Sequence, residues 1–370
     1  MCLNVCECVC VLPCVCLCFF AMCACVCVCV FAMFVCVCFR VYMCRMIFLF
    51  GVVIWLFLSV FLCVNVLRAY RMTKIGASMV RNGTAKPDWI PFIRIDHLPN
   101  MCVLILRSFL IGPFVMIMSM VTVTLTGLLC AVLPARWMPL IIAYGCRGLC
   151  FWLGISIVQK GIRDSRANCI VANHNSAIDI FVIAAVQPCS FVAMHSVQDL
   201  YLIGRMAKAL DCIFVARDSI ESRSAAKLAI TQKLLQKNTS PLVIFPEGST
   251  NNGAYILQFR RGAFETANVA VQPVRIEFED FNLNFTIVTL IQLLSLVCVL
   301  PKRQVTLHWR PIIEGTEPAE VKAQIARDAI ASVVSAYGHP PVVQANNVSH
   351  RDAILASSYY QSYGIDSKSD

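Results

Sequence analysis

The sequence predicts an α/β domain built on a mixed, mostly parallel sheet flanked by helices, preceded by N-terminal transmembrane or membrane-embedded helices. Three observations predict it. Hydrophobic residues make up 59% of the 370-residue chain and charged residues only 14%, against about 25% charged in average globular chains. The longest apolar blocks all fall before Lys160. After Lys160, short apolar runs alternate with polar stretches of helical spacing, the pattern of strands separated by helices.

The first 42 residues stand apart. Fourteen of the 23 cysteines lie between Cys2 and Cys44, mostly alternating with valine as in Cys25-Val26-Cys27-Val28-Cys29-Val30. Disulfide scaffolds space cysteines irregularly between polar loops, and zinc sites need paired spacings with polar neighbours. Neither pattern is present. A Cys-Val run is what a TGTGTG repeat encodes, so residues 1–42 are expected to be translated repeat, with the start at Met43, Met46 or Met72; a β-prone or signal-like segment is the rival reading.

Residues 43–158 read as membrane-anchoring helices and linker. Ile47 to Leu67 is apolar throughout and long enough to cross a bilayer, which needs roughly 20 residues. Arg68, Arg71, Lys74 and Arg81 follow it, which by the positive-inside rule places the downstream side in the cytosol. A glycan on Asn238, in one of four Asn-x-Ser/Thr sequons, would reverse that topology. Residues 82–101 contain Pro87, Pro91 and Pro99 and read as linker. A second apolar block runs from Ser108 to Leu133 and a third from Leu140 to Val158, parted by Pro134 and Pro139. They read as a helical hairpin or an embedded pair that keeps Lys160 on the side of Arg68.

Residues 159–340 read as the catalytic-type α/β domain. Strands are expected at Asn168 to Asn173, Cys212 to Ala216, Leu242 to Phe245, Val271 to Phe278 and, alternating, Gln304 to Trp309. Helices are expected at Asp179 to Val186, Glu221 to Gln236 and Pro318 to Tyr337, and Phe285 to Leu300 as a core or interfacial helix. Residues 341–370 read as a flexible polar tail. The net charge of +10 suits anionic headgroups or phosphorylated substrates. A nucleic-acid partner is not expected, because no basic stretch is interleaved with aromatics.

Four constellations carry chemistry. In Asn173-His174-Asn175-Ser176-Ala177-Ile178-Asp179, a strand ends and a helix begins. His174 there is a candidate general base and Asp179, one turn on, can fix its tautomer. Ser176 with Asp179 also reads as a capping box, which accounts for the aspartate without catalysis. Phe245-Pro246-Glu247-Gly248-Ser249-Thr250 follows a strand; its backbone N–H groups and hydroxyls can hold phosphate or a developing oxyanion, or it is a polar Pro-Gly turn. Arg217 closes the third strand and can grip phosphate in a two-pronged fork, although such an arginine is often only solvated. Arg260 and Arg261 add cations under the same ambiguity. Pro273, in Val271-Gln272-Pro273-Val274, reads by itself as an edge-strand proline. No metal site is expected: neither the scattered cysteines nor the six histidines form a ligand set.

Together, in this order and spacing, the pieces resemble the glycerolipid and lysophospholipid acyltransferases. These carry an Asn-His-x4-Asp block, a Phe-Val-x-Arg block, a Phe-Pro-Glu-Gly-Ser/Thr block and a Val-x-Pro-Val block. The stretch from Phe245 to Val274 is most similar to the lysophosphatidylcholine acyltransferase branch. The resemblance implies a fold like that of glycerol-3-phosphate acyltransferase. It implies transfer of a fatty acyl group from acyl-CoA, as co-substrate and with no bound cofactor, to a lysophospholipid or glycerol-phosphate acceptor. His174 would be the base and Asp179 its orienter. Arg217, Phe245, Pro246, Glu247, Gly248, Ser249 and Thr250 would hold the acceptor, helped by Arg260 and Arg261, with Pro273 shaping the acyl-CoA or sheet region. It implies residence in the lipid bilayer, in the endoplasmic reticulum with the domain cytosolic. A CoA-independent transacylase and an inactive lipid-binding scaffold are the alternatives.

Overall fold

Parallel strands buried on both faces need apolar side chains pointing both ways, and the first central strand has them. In β2 (Cys169–Ala172) every residue is buried. Ile170 and Ala172 enter one apolar layer and Cys169 and Val171 the other. The structure, a computed structural model, describes residues 6–83, 100–215, 220–236, 240–279 and 290–346. Seven strands form the main sheet in the order β1-β8-β7-β2-β5-β3-β4, a mixed and mostly parallel arrangement. The others are β1 (Ile155–Lys160), β3 (Ser190–Met194), β4 (Ile213–Val215), β5 (Leu242–Ile244), β7 (Val271–Phe278) and β8 (Arg303–Trp309). Every pairing among them is parallel except β7 with β8.

Helices cover both faces. The layer holding Ile170 is completed by α4 (Met138–Trp152), α5 (Ile178–Val186) and α8 (Leu290–Val299). The opposite layer is closed by α7 (Ile220–Leu235) and α9 (Ala319–Ala331), through Ile230, Leu234, Ala323, Ala326 and Ile330. Fully buried residues such as Ile170, Ile183 and Leu242 each contribute roughly 1.5–3 kcal/mol of hydrophobic stabilisation. The short α6 (Tyr201–Ala209) packs on the first layer through Met206 and Ala209.

Two compact units divide the chain, Met1–Leu58 and Ser59–Asp370. The helix α1 (Cys6–Arg81) includes an apolar stretch, Tyr42–Gly76, long enough to cross a membrane. Within the second unit its Leu62, Val66 and Ala69 are buried at helical spacing in the first layer. The apolar block expected from Ser108 is two helices, α2 (Met101–Leu110) and α3 (Gly112–Val132). They part at Ile111, just before Pro113, which lacks the N–H that a continuous helix requires. Although α3 is also long and apolar enough to span, it lies along the domain. A Cβ on Gly112 would meet Val299 at 2.9 Å, and one on Gly127 would meet Leu202 at 2.9 Å. Its other side exposes Phe114, Ile117, Met120, Val121, Leu125 and Leu128.

Elsewhere the expectations are corrected in detail. The third apolar block stops being helix at Trp152; its end is β1, paired in parallel with β8. β8 does not alternate, being buried at every residue from Val305 to Trp309, because helices and the chain after α9 cover both its faces. α9 ends at Ala331, not Tyr337, and buries one face. Of the expected helix at 285–300, residues 285–289 lie outside the described residues, and α8 is core. The tail begins in order: β9 (Val343–Gln344) pairs in parallel with β6 (Tyr255–Ile256).

Candidate active site

β2 and β5 are parallel neighbours with Val171 opposite Ile244, so the chain leaving both strands emerges at one edge of the sheet. The register alone brings Asn173 and His174 beside Phe245, Pro246 and Glu247. Open α/β sheets place ligands at this carboxyl edge.

Here the first motif folds tightly around Asp179. That residue is fully buried in the first turn of α5. Its Oδ2 lies 2.9 Å from His174 Nδ1 and accepts the N–H groups of Asn175 at 2.7 Å and Ser176 at 2.8 Å. One oxygen thus meets the imidazole and forms half of the capping box, while Ser176 Oγ accepts the Ile178 N–H at 3.3 Å rather than that of Asp179. The His174 ring stacks on Phe245, centroids 4.2 Å apart and planes 19° apart. With Nδ1 turned to the carboxylate and one face covered, the Nε2 edge is what a substrate can reach; the side chain keeps 19% of its exposure.

The second motif is the support beneath the first. Expected to hold the acceptor, Glu247 is instead occupied by the protein. Its Oε1 accepts the His174 N–H at 2.8 Å, while its Oε2 accepts Asn251 Nδ2 and the Leu257 N–H, both at 2.7 Å. It is buried, and burial pushes its carboxyl up to about 8 against the opposing pull of those donors. The Asn251 N–H donates to the His174 carbonyl at 3.0 Å, so the turn is tied to both backbone polar groups of His174. Gly248 adopts φ +72°, and a Cβ there would meet the Arg260 guanidinium at 2.8 Å. Arg260 thus lies over the turn, held by its N–H on the Pro246 carbonyl at 2.9 Å, and its side chain is exposed. Ser249 and Thr250 are half-buried in the same turn.

Three other expected residues fare differently. Arg261 does not join the site; its exposed guanidinium pairs with Glu265 at 3.6 Å and Glu320 at 3.2 Å. Arg217 lies outside the described residues, two positions beyond the end of β4 at Val215. Pro273 is not on an edge strand: β7 is third of seven, and Pro273 pairs with Val171. Its carbonyl accepts the Arg310 N–H at 2.9 Å. Its nitrogen therefore faces that same flank, beyond the end of the antiparallel ladder at Val274 and Trp309, where no ladder N–H is required.

Two supporting residues were not expected. Asn173 locks the end of β2 to β7, accepting the Ile276 N–H at 2.7 Å and donating to the Ile276 carbonyl at 3.0 Å. Asn251 is the side-chain partner of Glu247. The signal for Asn173 is an asparagine at the end of an otherwise apolar strand; Asn251 carries no comparable mark. Among the described residues no cluster of His, Cys, Asp and Glu is arranged to hold a metal ion.

Comparison with known proteins bears on this geometry. Residues 157–277 match the family model described as Acyltransferase. A lysophospholipid acyltransferase of Arabidopsis thaliana is 34% identical over 118 residues, which is 30% of this chain and 29% of that protein. A lyso-ornithine lipid O-acyltransferase of Rhodobacter capsulatus is 26% identical over 223 residues, 60% of this chain and 74% of that one. Glycerol-3-phosphate acyltransferase 4 of Homo sapiens is 28% identical over 138 residues, 36% of this chain and 30% of that protein. Among solved structures, the 1-acyl-sn-glycerophosphate acyltransferase PlsC of Thermotoga maritima is similar, with TM-score 0.46 and 18% identity over 63% of this chain and 99% of that one. All four motif blocks, from His174 to Pro273, fall within the stretch, residues 157–277, that matches the acyltransferase family model.

Proposed function

We propose that the protein transfers a fatty acyl group from acyl-CoA to a hydroxyl of a lysophospholipid or related glycerol-phosphate acceptor at a membrane. The observation that carries this reading is the His174–Asp179 pair at 2.9 Å, with the imidazole stacked on Phe245 and its side chain still 19% exposed. His174 Nε2 takes the acceptor's hydroxyl proton as its oxygen attacks the thioester carbonyl. The new C–O bond forms while the carbonyl π electrons move onto oxygen. When that oxyanion collapses, the C–S bond breaks and the CoA thiolate takes the proton from the imidazolium. A thioester is already activated, so positioning, a base and an oxyanion site suffice.

Arg260, exposed beside Gly248, supplies positive charge for an acceptor phosphate, and Arg217 joins it by motif. Glu247 supports the site from below without touching substrate. Membrane residence rests on the two apolar helices, Tyr42–Gly76 and Gly112–Val132; residence in the endoplasmic reticulum with the domain cytosolic completes the proposal. The test uses microsomes expressing wild type or His174→Ala, given labelled acyl-CoA and a panel of lysophospholipid and glycerol-phosphate acceptors. The expected loss in the variant is about 10²- to 10⁴-fold. Equal incorporation by both proteins overturns the assignment of the base.

A further inference from the structure

The chain after α9 reads as a loose tail, yet its first residues reach the catalytic turn. β9 lies on β6, with the Val343 N–H on the Ala254 carbonyl and the Ala345 N–H on the Ile256 carbonyl, both at 3.0 Å. Arg327 of α9, buried, clamps this join. Its Nη2 donates to the carbonyls of Ile256 at 3.0 Å and Ala345 at 2.8 Å, and its Nη1 donates to Asn346 Oδ1 at 2.7 Å. The residue after β6 is Leu257, whose N–H is held by Glu247 Oε2 at 2.7 Å. The other oxygen of Glu247 holds the His174 N–H. An unbroken series of hydrogen bonds therefore runs from the C-terminal strand to the backbone of the proposed base. A second contact is independent of it: Val342 lines a small cavity together with Asn173 and Asn175, the residues on either side of His174.

We infer that the C-terminal segment 342–346, with Arg327 as its clamp, is a positioning element of the active site that holds the Glu247 turn and thereby sets the place of His174. This deepens the acyltransferase reading and rests on it. Among the described residues, the hydrogen bonds of the segment run to Ala254, Ile256, Arg327 and Asp328, not to the imidazole or Arg260, so its loss should lower turnover rather than acceptor binding. A shift of about 1 Å at a reacting group can cost about 100-fold in rate. In an isolated two-residue pairing such as β6 with β9, neither strand lies in the main sheet, so the strap can be loosened while the sheet stays intact.

The test uses the full chain purified in detergent. Val343→Pro removes the N–H that bonds Ala254, at a residue that is 54% exposed. Asn346→Ala removes one partner of Arg327 at an exposed position. Arg327→Lys, which keeps the charge, is compared with Arg327→Gln. Expected for Val343→Pro is a fall in kcat of about tenfold or more, with KM for donor and acceptor within about twofold. Faster amide hydrogen exchange at His174 and Leu257, with an unchanged melting temperature, accompanies it. Asn346→Ala should show the same pattern more weakly, and Arg327→Lys should retain more turnover than Arg327→Gln. Wild-type kcat together with wild-type amide protection in Val343→Pro overturns the inference. If the wild type is itself inactive on every acceptor, the acyltransferase reading fails. The amide-exchange arm then decides the strap: loss of protection at His174 in Val343→Pro supports it, and full protection overturns it.

Discussion

At the scale of single residues, Asp179 holds two kinds of partner with one oxygen. Its Oδ2 faces His174 and also accepts the N–H groups of Asn175 and Ser176. Asp179→Ala therefore leaves two buried donors unpaired as well as an unoriented base. Turnover should fall with His174→Ala, and thermal or denaturant unfolding should show in addition a loss of about 1–3 kcal/mol for each donor left unsatisfied. His174→Ala, by contrast, should unfold close to wild type, because its side chain is partly exposed and its backbone bonds to Glu247 and Asn251 persist. Gly248 is the other sensitive position. Alanine there must hold φ +72° and push aside Arg260, at a conformational cost of roughly 1–2 kcal/mol. Steady-state kinetics of Gly248→Ala should show a raised KM for the acceptor, if Arg260 holds its phosphate; an unchanged KM sends that role elsewhere.

At the scale of elements, the underside of β7 and β8 carries a polar network that straps the chain leaving α9. Glu277 Oε2 accepts His308 Nε2 at 2.9 Å and the Ala336 N–H at 3.0 Å, and Arg275 donates to the Val333 carbonyl at 3.2 Å. Burial alone would raise the Glu277 carboxyl. The hydrogen bonds from His308, Ser335 and Ala336, with the nearby Arg275 charge, outweigh it and hold the carboxyl down to about 2, from an ordinary 4.5. A carboxyl depressed in the folded state stabilises above its unfolded pKa, and that contribution is lost as protons bind. Stability should thus decline as pH falls from 4.5 toward about 2, and Glu277→Gln should flatten that acid limb in pH-dependent unfolding. The α3–α4 hairpin depends on a different contact. A Cβ on Gly145 would collide with Thr126 Oγ1, so Gly145→Leu should force the helices apart and lower the melting temperature in detergent. A melt like wild type would show the pair held by other means.

For the whole molecule, the apolar surface sets the expected behaviour. The exposed side of α3 presents Phe114, Ile117, Met120, Val121, Leu125 and Leu128, and the mean hydropathy of the chain is +0.73. Single exposed apolar residues need no explanation, but a contiguous face of this kind marks a membrane or partner surface. The protein is expected to stay with the membrane pellet through alkaline carbonate washing. Release into the supernatant would leave the apolar face to a protein partner. N-terminal sequencing of the native chain tests the reading of residues 1–42. A first residue at Met43, Met46 or Met72 bears it out, and one at Met1 does not.

The amino-acid sequence by itself determined the class of the fold and which motifs meet in the candidate site. Apolar runs bounded by polar turns are local features, so β2, β5, β7 and the helices α5 and α7 could be read within a residue or two. The His174 and Glu247 motifs announce themselves in the same way, since each sits where an apolar strand gives way to a polar turn. What each side chain does once there was decided only in three dimensions. That Glu247 accepts the backbone N–H of His174, that Arg260 lies over Gly248 while Arg261 turns to Glu320, and that Pro273 occupies a central strand all depend on partners distant in sequence. The ordered start of the tail was hidden for the same reason. Two residues of β9 carry too little pattern to be read, and their order comes from Arg327 and from the edge of β6. Hydrogen-bond capacity is written in the residue type; which donor meets which acceptor is settled by strand register and by the layers that exclude water.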